Sequence, residues 1–353
     1  MNEAHPVIVI GGSGYVAGEI LRLVAGHSLL QLTASVSSSL AGQPVAGAFP
    51  HLGPAVGSAT FVALEEASDR LGDAAHWVVL SAAPHTASAR SISTLLEAAG
   101  KKDVRMTIVD ASADFRFRNA AQFAAIYGQE HPRPTLLGEF TCAVPEHVGG
   151  APTPHAAQPG CFATTMLLAI VPLLEAELCE PRFHVSAVTG STGAGRKVRE
   201  TTHHPERHSN LFSYMALAHR HEPEVRALTL AATGIEPQLD FVPHCGPFAR
   251  GIHATIFAKL KRPADTATIL EALQDFYRDA PFVRVGAEPP RVKEVACSNY
   301  AKLNATVRDE TVVVCAVLDN LVKGAAGGAV QWANRLLGLP ETMGLIEPAP
   351  GWL

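Results

Sequence analysis

The sequence predicts an α/β chain in two parts, a Rossmann-type parallel-sheet domain followed by an α+β catalytic domain with a mixed or antiparallel sheet. Three observations predict it. Short apolar runs alternate with helical ones near the start, a glycine-rich turn follows the first run, and after about residue 155 the strand-like runs lengthen and group together. Val7–Ile10 is apolar and ends at Gly11-Gly12-Ser13-Gly14, and Glu19–Val24 then carries apolar residues at helical spacing. Leu32–Val36 reads as a second strand. His76–Leu80 is a third, running into Ser81-Ala82-Ala83-Pro84-His85 and a helix through Leu96, and Thr107–Val109 is a fourth, ending at Asp110. Further on, Phe162–Leu174 reads as a helix, and Phe183–Thr189, Phe241–Pro243, His253–Leu260 and Thr311–Val317 read as strands. Ala325–Leu337 has helical spacing and is expected to dock on the first domain. The punctuation Gly149-Gly150-Ala151-Pro152-Thr153-Pro154 marks the boundary, giving 1–155, 156–324 and a C-terminal segment 325–353.

Composition limits the function classes. A chain of 353 residues with 47% hydrophobic and 17% charged residues suits two domains with a large core and excludes disorder. The net charge of −5 comes with no basic stretch, which argues against a nucleic-acid partner. No apolar run reaches the ~18 residues of a membrane span, and Met1–Pro6 lacks the pattern of a signal peptide. Cys142, Cys161, Cys179, Cys245, Cys297 and Cys315 form no C-x-x-C pair, so neither a zinc ribbon nor a disulfide scaffold is expected. The expectation is a reduced, cytoplasmic protein with no metal.

Gly12-x-Gly14-x-x-Ala17 fits the dinucleotide fingerprint, where glycines let a pyrophosphate approach the backbone and the next helix offers free N–H groups. Gly11, Gly12, Ser13, Gly14, Tyr15 and Val16 are thus candidate cofactor contacts, with Pro84 after the third strand. The second strand ends in Ser37-Ser38-Ser39, without the carboxylate that would accept from a free ribose hydroxyl and repel a 2′-phosphate, which favours NADP(H).

Gln158-Pro159-Gly160-Cys161 precedes the apolar helical run. A Cys at a helix N-terminus has its thiolate stabilised by the dipole and free N–H groups, which makes Cys161 the candidate nucleophile. Cys142, Cys179, Cys297 and Cys315 are read as inert.

Several segments, in order, resemble the N-acetyl-gamma-glutamyl-phosphate reductase family of semialdehyde dehydrogenase-like enzymes. They are Gly11–Tyr15, Asp110-Ala111-Ser112-Ala113-Asp114-Phe115-Arg116, Pro159-Gly160-Cys161, Gly190–Lys197, His219-Arg220-His221-Glu222-Pro223-Glu224, Pro243-His244 with Arg250-Gly251-Ile252, and Asp319–Gly327. The resemblance implies NADPH-dependent reduction of an acyl phosphate in arginine biosynthesis, through a thioester on Cys161. It places the 219–224 motif opposite the Cys, with His219 first and His221 second as the acid/base and Glu224 as orienter or alternative base. Arg116 and Arg250 are then set against the substrate's carboxylate and phosphate, with Gln158 beside the nucleophile. Ser191, Gly193 and Lys197 are placed toward a phosphate, and Asn320 toward the nicotinamide. It also implies a homodimer or homotetramer. The chain departs from the family in Gln158, in Phe162-Ala163 after the Cys and in Ala17, and is rich in His at His203, His204 and His208. Other readings are an aminoadipyl-phosphate reductase of lysine biosynthesis, an aspartate-semialdehyde dehydrogenase, a non-catalytic NADP-binding sensor, and a metal-binding protein resting on His203, His204, His208, His219 and His221. His27, His51, His76 and His131 are read as ordinary loop histidines.

Overall fold

The computed structural model describes residues 4–72, 74 and 76–352. The first compact unit takes the chain up to Ala143 together with Gly150–Gln158 and Ala325–Ile346. The second takes Val144–Gly149, Pro159–Gly324 and the chain from Glu347 onward.

In the first unit, β1 (His5–Ile10), β2 (Leu30–Val36), β3 (Phe61–Val62), β4 (His76–Ser81), β5 (Arg105–Asp110), β6 (Phe140–Cys142) and β7 (His155–Ala157) form one sheet. Its order is β3-β2-β1-β4-β5-β7-β6, and every neighbouring pair is parallel. The Val-rich runs of β1 and β4 are buried throughout, as strands covered on both faces must be. The helix Gly327–Leu336 packs on β5 of this unit.

Strand order reverses between β1 and β4, the point where open parallel sheets bind ligands. The turn after β1 sits there. Gly11 has φ +82°, and a Cβ on it would lie 2.6 Å from the backbone of Ala82 and Ala83, just beyond β4. Gly11→Ala therefore combines a left-handed conformation with a backbone clash that no rotamer relieves. The expected loss is about 2–5 kcal/mol, read as a lower urea midpoint. An unchanged midpoint would show that the turn is not packed this way.

The Asp110–Arg116 motif proves to be a cap. The Asp114 carboxylate accepts the N–H groups of Thr86 (2.7 Å) and Ala89 (2.9 Å) at the start of the helix Ala87–Lys101. Asp110 accepts from the hydroxyls of Ser88 (2.7 Å) and Ser112 (2.6 Å). Burial, with Asp114 close by, pushes the Asp110 carboxyl up to about 6.

In the second unit, β8 (Cys179–Thr189), β9 (Phe212–Ser213), β10 (Gln238–Cys245), β11 (Ile252–Leu260), β12 (Val283–Val285), β13 (Ala301–Arg308) and β14 (Thr311–Leu318) form a mixed sheet ordered β12-β13-β14-β11-β8-β10-β9. Burial alternates along β8, β10 and β11, so one face is covered and the other open. The helix Cys161–Glu175 covers that face. Every residue from Phe162 to Leu174 is buried, which explains why its sequence is apolar all round. Pro172 inside this helix removes an N–H, and the Tyr277 hydroxyl donates instead to the freed Leu168 carbonyl at 2.7 Å.

Candidate active site

The nucleotide turn belongs to the first unit and fits a dinucleotide. Each glycine has its own reason. Gly12 packs so closely on β2 that a Cβ would lie 2.7 Å from the Ser35 hydroxyl. Gly14, by contrast, would place a Cβ in space where the nearest protein atom is 3.8 Å away, so the protein itself gives no reason for a glycine there. Gly14 is the N-cap of the helix Tyr15–Ala25, and no side chain caps that end. A bare helix N-terminus behind an open glycine is the cradle a pyrophosphate requires. Ser37 is buried after β2, Ser38 and Ser39 are exposed, and Pro84 is exposed after β4.

Arg116 and Gln158 also lie in this unit, and the structure uses Arg116 as a brace. Its Nε donates to the Gln158 carbonyl and its Nη2 to the Ala111 carbonyl, both at 3.2 Å. The Gln158 carboxamide is buried against Gly328.

The second unit brings the predicted chemical residues together. Cys161 is half-buried and is the first residue of its helix, with Gly160 as N-cap. The buried Glu224 carboxylate accepts the Gly160 N–H at 2.7 Å, so Glu224 shapes the turn that presents the Cys. The imidazoles of His219 and His221 stand edge-to-face, 4.7 Å apart, and pack on the ring of Phe162 at 5.6 and 6.2 Å. Nδ1 of His219 accepts the backbone N–H of His221 at 3.2 Å. A nitrogen that accepts carries no proton, so the neutral ring is protonated on Nε2 and presents a donor there. Burial and the adjacent Arg220 hold His219 down at about 4. These two facts count against His219 as the proton-accepting base.

Sequence reasoning missed Tyr214, whose ring lies 5.8 Å from His219. Burial pushes its phenol well above the usual range, and the Cys161 and Cys245 sulfurs act in the same direction. A single Tyr in a loop carries no motif signal.

Other predicted contacts are engaged by the chain itself. The Asn320 carboxamide accepts the Gly251 N–H (2.7 Å) and donates to the Thr192 hydroxyl (3.0 Å). Arg250 forks onto the buried Asp319 carboxylate, with both contacts at 3.0 Å. The backbone N–H of Ser191 donates to the Phe248 carbonyl, while Gly193 and Lys197 are exposed. Cys179 is inert because burial pushes its thiol up to about 12. Of the supposed loop histidines, His27 and His131 do lie in loops and His76 does not. His76 opens β4 and bonds the Thr107 hydroxyl at 2.8 Å, His27 bonds Asn334, and His131 bonds the Asp114 carbonyl. No group of three His, Cys, Asp or Glu that could hold a metal ion occurs among the described residues, and no described helix is long and apolar enough to cross a membrane.

Comparison with known proteins bears on this geometry. Residues 6–148 match the family model of the semialdehyde dehydrogenase NAD binding domain, and residues 161–320 match that of the semialdehyde dehydrogenase dimerisation domain. The chain is 36% identical to the N-acetyl-gamma-glutamyl-phosphate reductase of Dehalococcoides mccartyi, with 96% of each chain covered. It is 38% identical to that of Acidothermus cellulolyticus, with 97% of each covered. Among solved structures, aspartate semialdehyde dehydrogenase II of Vibrio cholerae superposes with a TM-score of 0.70 at 15% identity, over 96% of this chain and 99% of that one. The NADP complex of the Candida albicans aspartate semialdehyde dehydrogenase gives 0.63 at 14% identity, over 97% of this chain and 100% of that one. The chain belongs to the N-acetyl-gamma-glutamyl-phosphate reductase family of semialdehyde dehydrogenases.

Proposed function

We propose that the protein reduces N-acetyl-gamma-glutamyl phosphate to N-acetylglutamate semialdehyde with NADPH, releasing phosphate through a Cys161 thioester, as a step of arginine biosynthesis in the cytoplasm. The observation that carries this reading is the half-buried Cys161 opening a buried helix, its turn held by Glu224 and a histidine pair packed on the next residue. The helix dipole and first-turn N–H groups favour the thiolate, which attacks the acyl carbon and expels phosphate. The same N–H groups, with Nε2–H of His219 as a further donor, would stabilise the oxygen that becomes negative in the tetrahedral intermediate. Gly11–Val16 would hold a dinucleotide, which when bound would supply a hydride for reduction of the thioester. His221 takes the hydroxyl proton as the thiohemiacetal collapses, the role first expected of His219. Exposed Lys197 meets an anionic group of the substrate. Ser37, Ser38 and Ser39, in place of a carboxylate, support NADP over NAD. The open face of the second sheet and the match to a dimerisation domain support a homodimer or homotetramer.

The test is phosphate-dependent oxidation of N-acetylglutamate semialdehyde, with NADP against NAD and with the aminoadipate semialdehyde as control. A preference for the longer acyl chain would overturn the substrate assignment. The role of His219 has its own test. If it is a neutral donor, His219→Gln keeps an N–H and retains most turnover, whereas His219→Ala loses about 10²–10³-fold. Equal loss in both variants would restore it as the base. With its folded pKa far below 6.5, the His219 imidazole stays neutral across pH 5–8, and its NMR titration should break near 4.

A further inference from the structure

A buried charge cluster outside the reacting groups runs from the C-terminal side of the second unit to the nucleophile helix. After Asp319 and Asn320 the backbone makes a π-helical turn, Val322–Ala326, in which the Gly324 N–H donates to the Asp319 carbonyl at 2.9 Å. Such turns are rare and need outside support. Gly324 lies directly against the nucleophile, since a Cβ there would fall 2.7 Å from Cys161 Cβ and 3.1 Å from its Cα. The turn is therefore the backstop of Cys161.

Two ionic anchors hold it. Asp319 accepts the N–H groups of Leu321 (2.9 Å) and Val322 (2.8 Å), and the fork of Arg250 fixes its carboxylate. Lys323, adjacent to Gly324, pairs with Glu146, and their side chains are 0% and 1% exposed. Phe282 lies under the ammonium. The residue after Glu146 closes the circuit. His147 Nε2 meets the Tyr277 hydroxyl at 2.9 Å, and that hydroxyl donates to the Leu168 carbonyl on the Cys161 helix. Burial holds His147 neutral, down at about 4. The path from Gly324 through Lys323, Glu146, His147 and Tyr277 thus returns to the helix that carries the nucleophile. A buried ion pair is a poor source of stability, because desolvating both charges offsets most of their attraction, but its geometry is narrowly defined.

We propose that Lys323 and Glu146 are positioning residues for Cys161, holding the π-turn so that Gly324 fixes the thiolate at its attack distance. The proposal rests on Cys161 being the nucleophile. Its test is the purified enzyme carrying Lys323→Met, Glu146→Gln, both together, or Lys323→Arg, measured for kcat, KM, melting temperature and the pH profile of Cys161 alkylation by iodoacetamide. Misplacement by about 1 Å can cost 10²-fold, so a partly relaxed turn should lower kcat and alkylation about tenfold. KM should be unchanged, and Lys323→Arg should recover part of the loss. The double variant removes both charges and so avoids leaving one buried alone. If it folds and alkylates and turns over like the wild type, the proposal is overturned. If it fails to fold, the pair serves stability and the proposal is likewise overturned. Failure of the parent reading looks different, as turnover that survives Cys161→Ser.

Discussion

Cys161→Ser is expected to lose turnover by at least about 10³-fold, because a hydroxyl at the same place is far less ionised and cannot form the thioester. The fold should be unchanged, since Cys161 is only half-buried and Ser fits the first turn of a helix. Affinity for the proposed dinucleotide should also persist, because the glycine turn after β1 belongs to the first unit. Incubating wild-type enzyme with acyl phosphate and no reductant should add the acyl mass to the peptide holding Cys161. Burial keeps the thiols of Cys179 and Cys315 protonated, which leaves them unreactive controls. Turnover retained in the Ser variant would refute the covalent mechanism.

Gly324→Ala should produce the second largest effect, with a sign opposite to helix propensity. Ala normally improves on Gly in a helix by ~1 kcal/mol. Here the added methyl carbon meets Cα and Cβ of Cys161, which no rotamer change can move. The helix start must shift, and turnover is expected to fall about 10²-fold, with a stability loss of about 1–3 kcal/mol. Gly100→Ala is the control. It lies in the helix Ala87–Lys101 with no atom within 4 Å of its added carbon, so it should gain roughly 0.5–1 kcal/mol with activity intact. Wild-type activity in Gly324→Ala would show that the contact on Cys161 is not what holds it.

Much of the architecture was legible because it is local. Apolar runs such as Val7–Ile10 and His253–Leu260 fall inside observed strands, and the helix read at Phe162–Leu174 is observed as Cys161–Glu175. Short strands escaped. β6 and β7 have three residues each, too few for a period to announce them. β13, by contrast, alternates apolar and polar residues from Ala301 to Arg308, a period-two signal that the sequence does carry. The short run Val144–Gly149, which leaves the first unit and returns, is marked in composition only at its end, by Gly149-Gly150.

By itself the sequence determined the longer strands and helices, the glycine turn after β1 and the Cys at a helix start, since each depends on residues a few positions apart. Only the tertiary structure decided the partners. Glu224, 64 residues from Gly160, holds its N–H, Arg250 forks onto Asp319, and Asn320 bridges Gly251 and Thr192. The physical reason is that a buried polar group takes whichever partner packing brings within reach, and that choice leaves no trace in local periodicity.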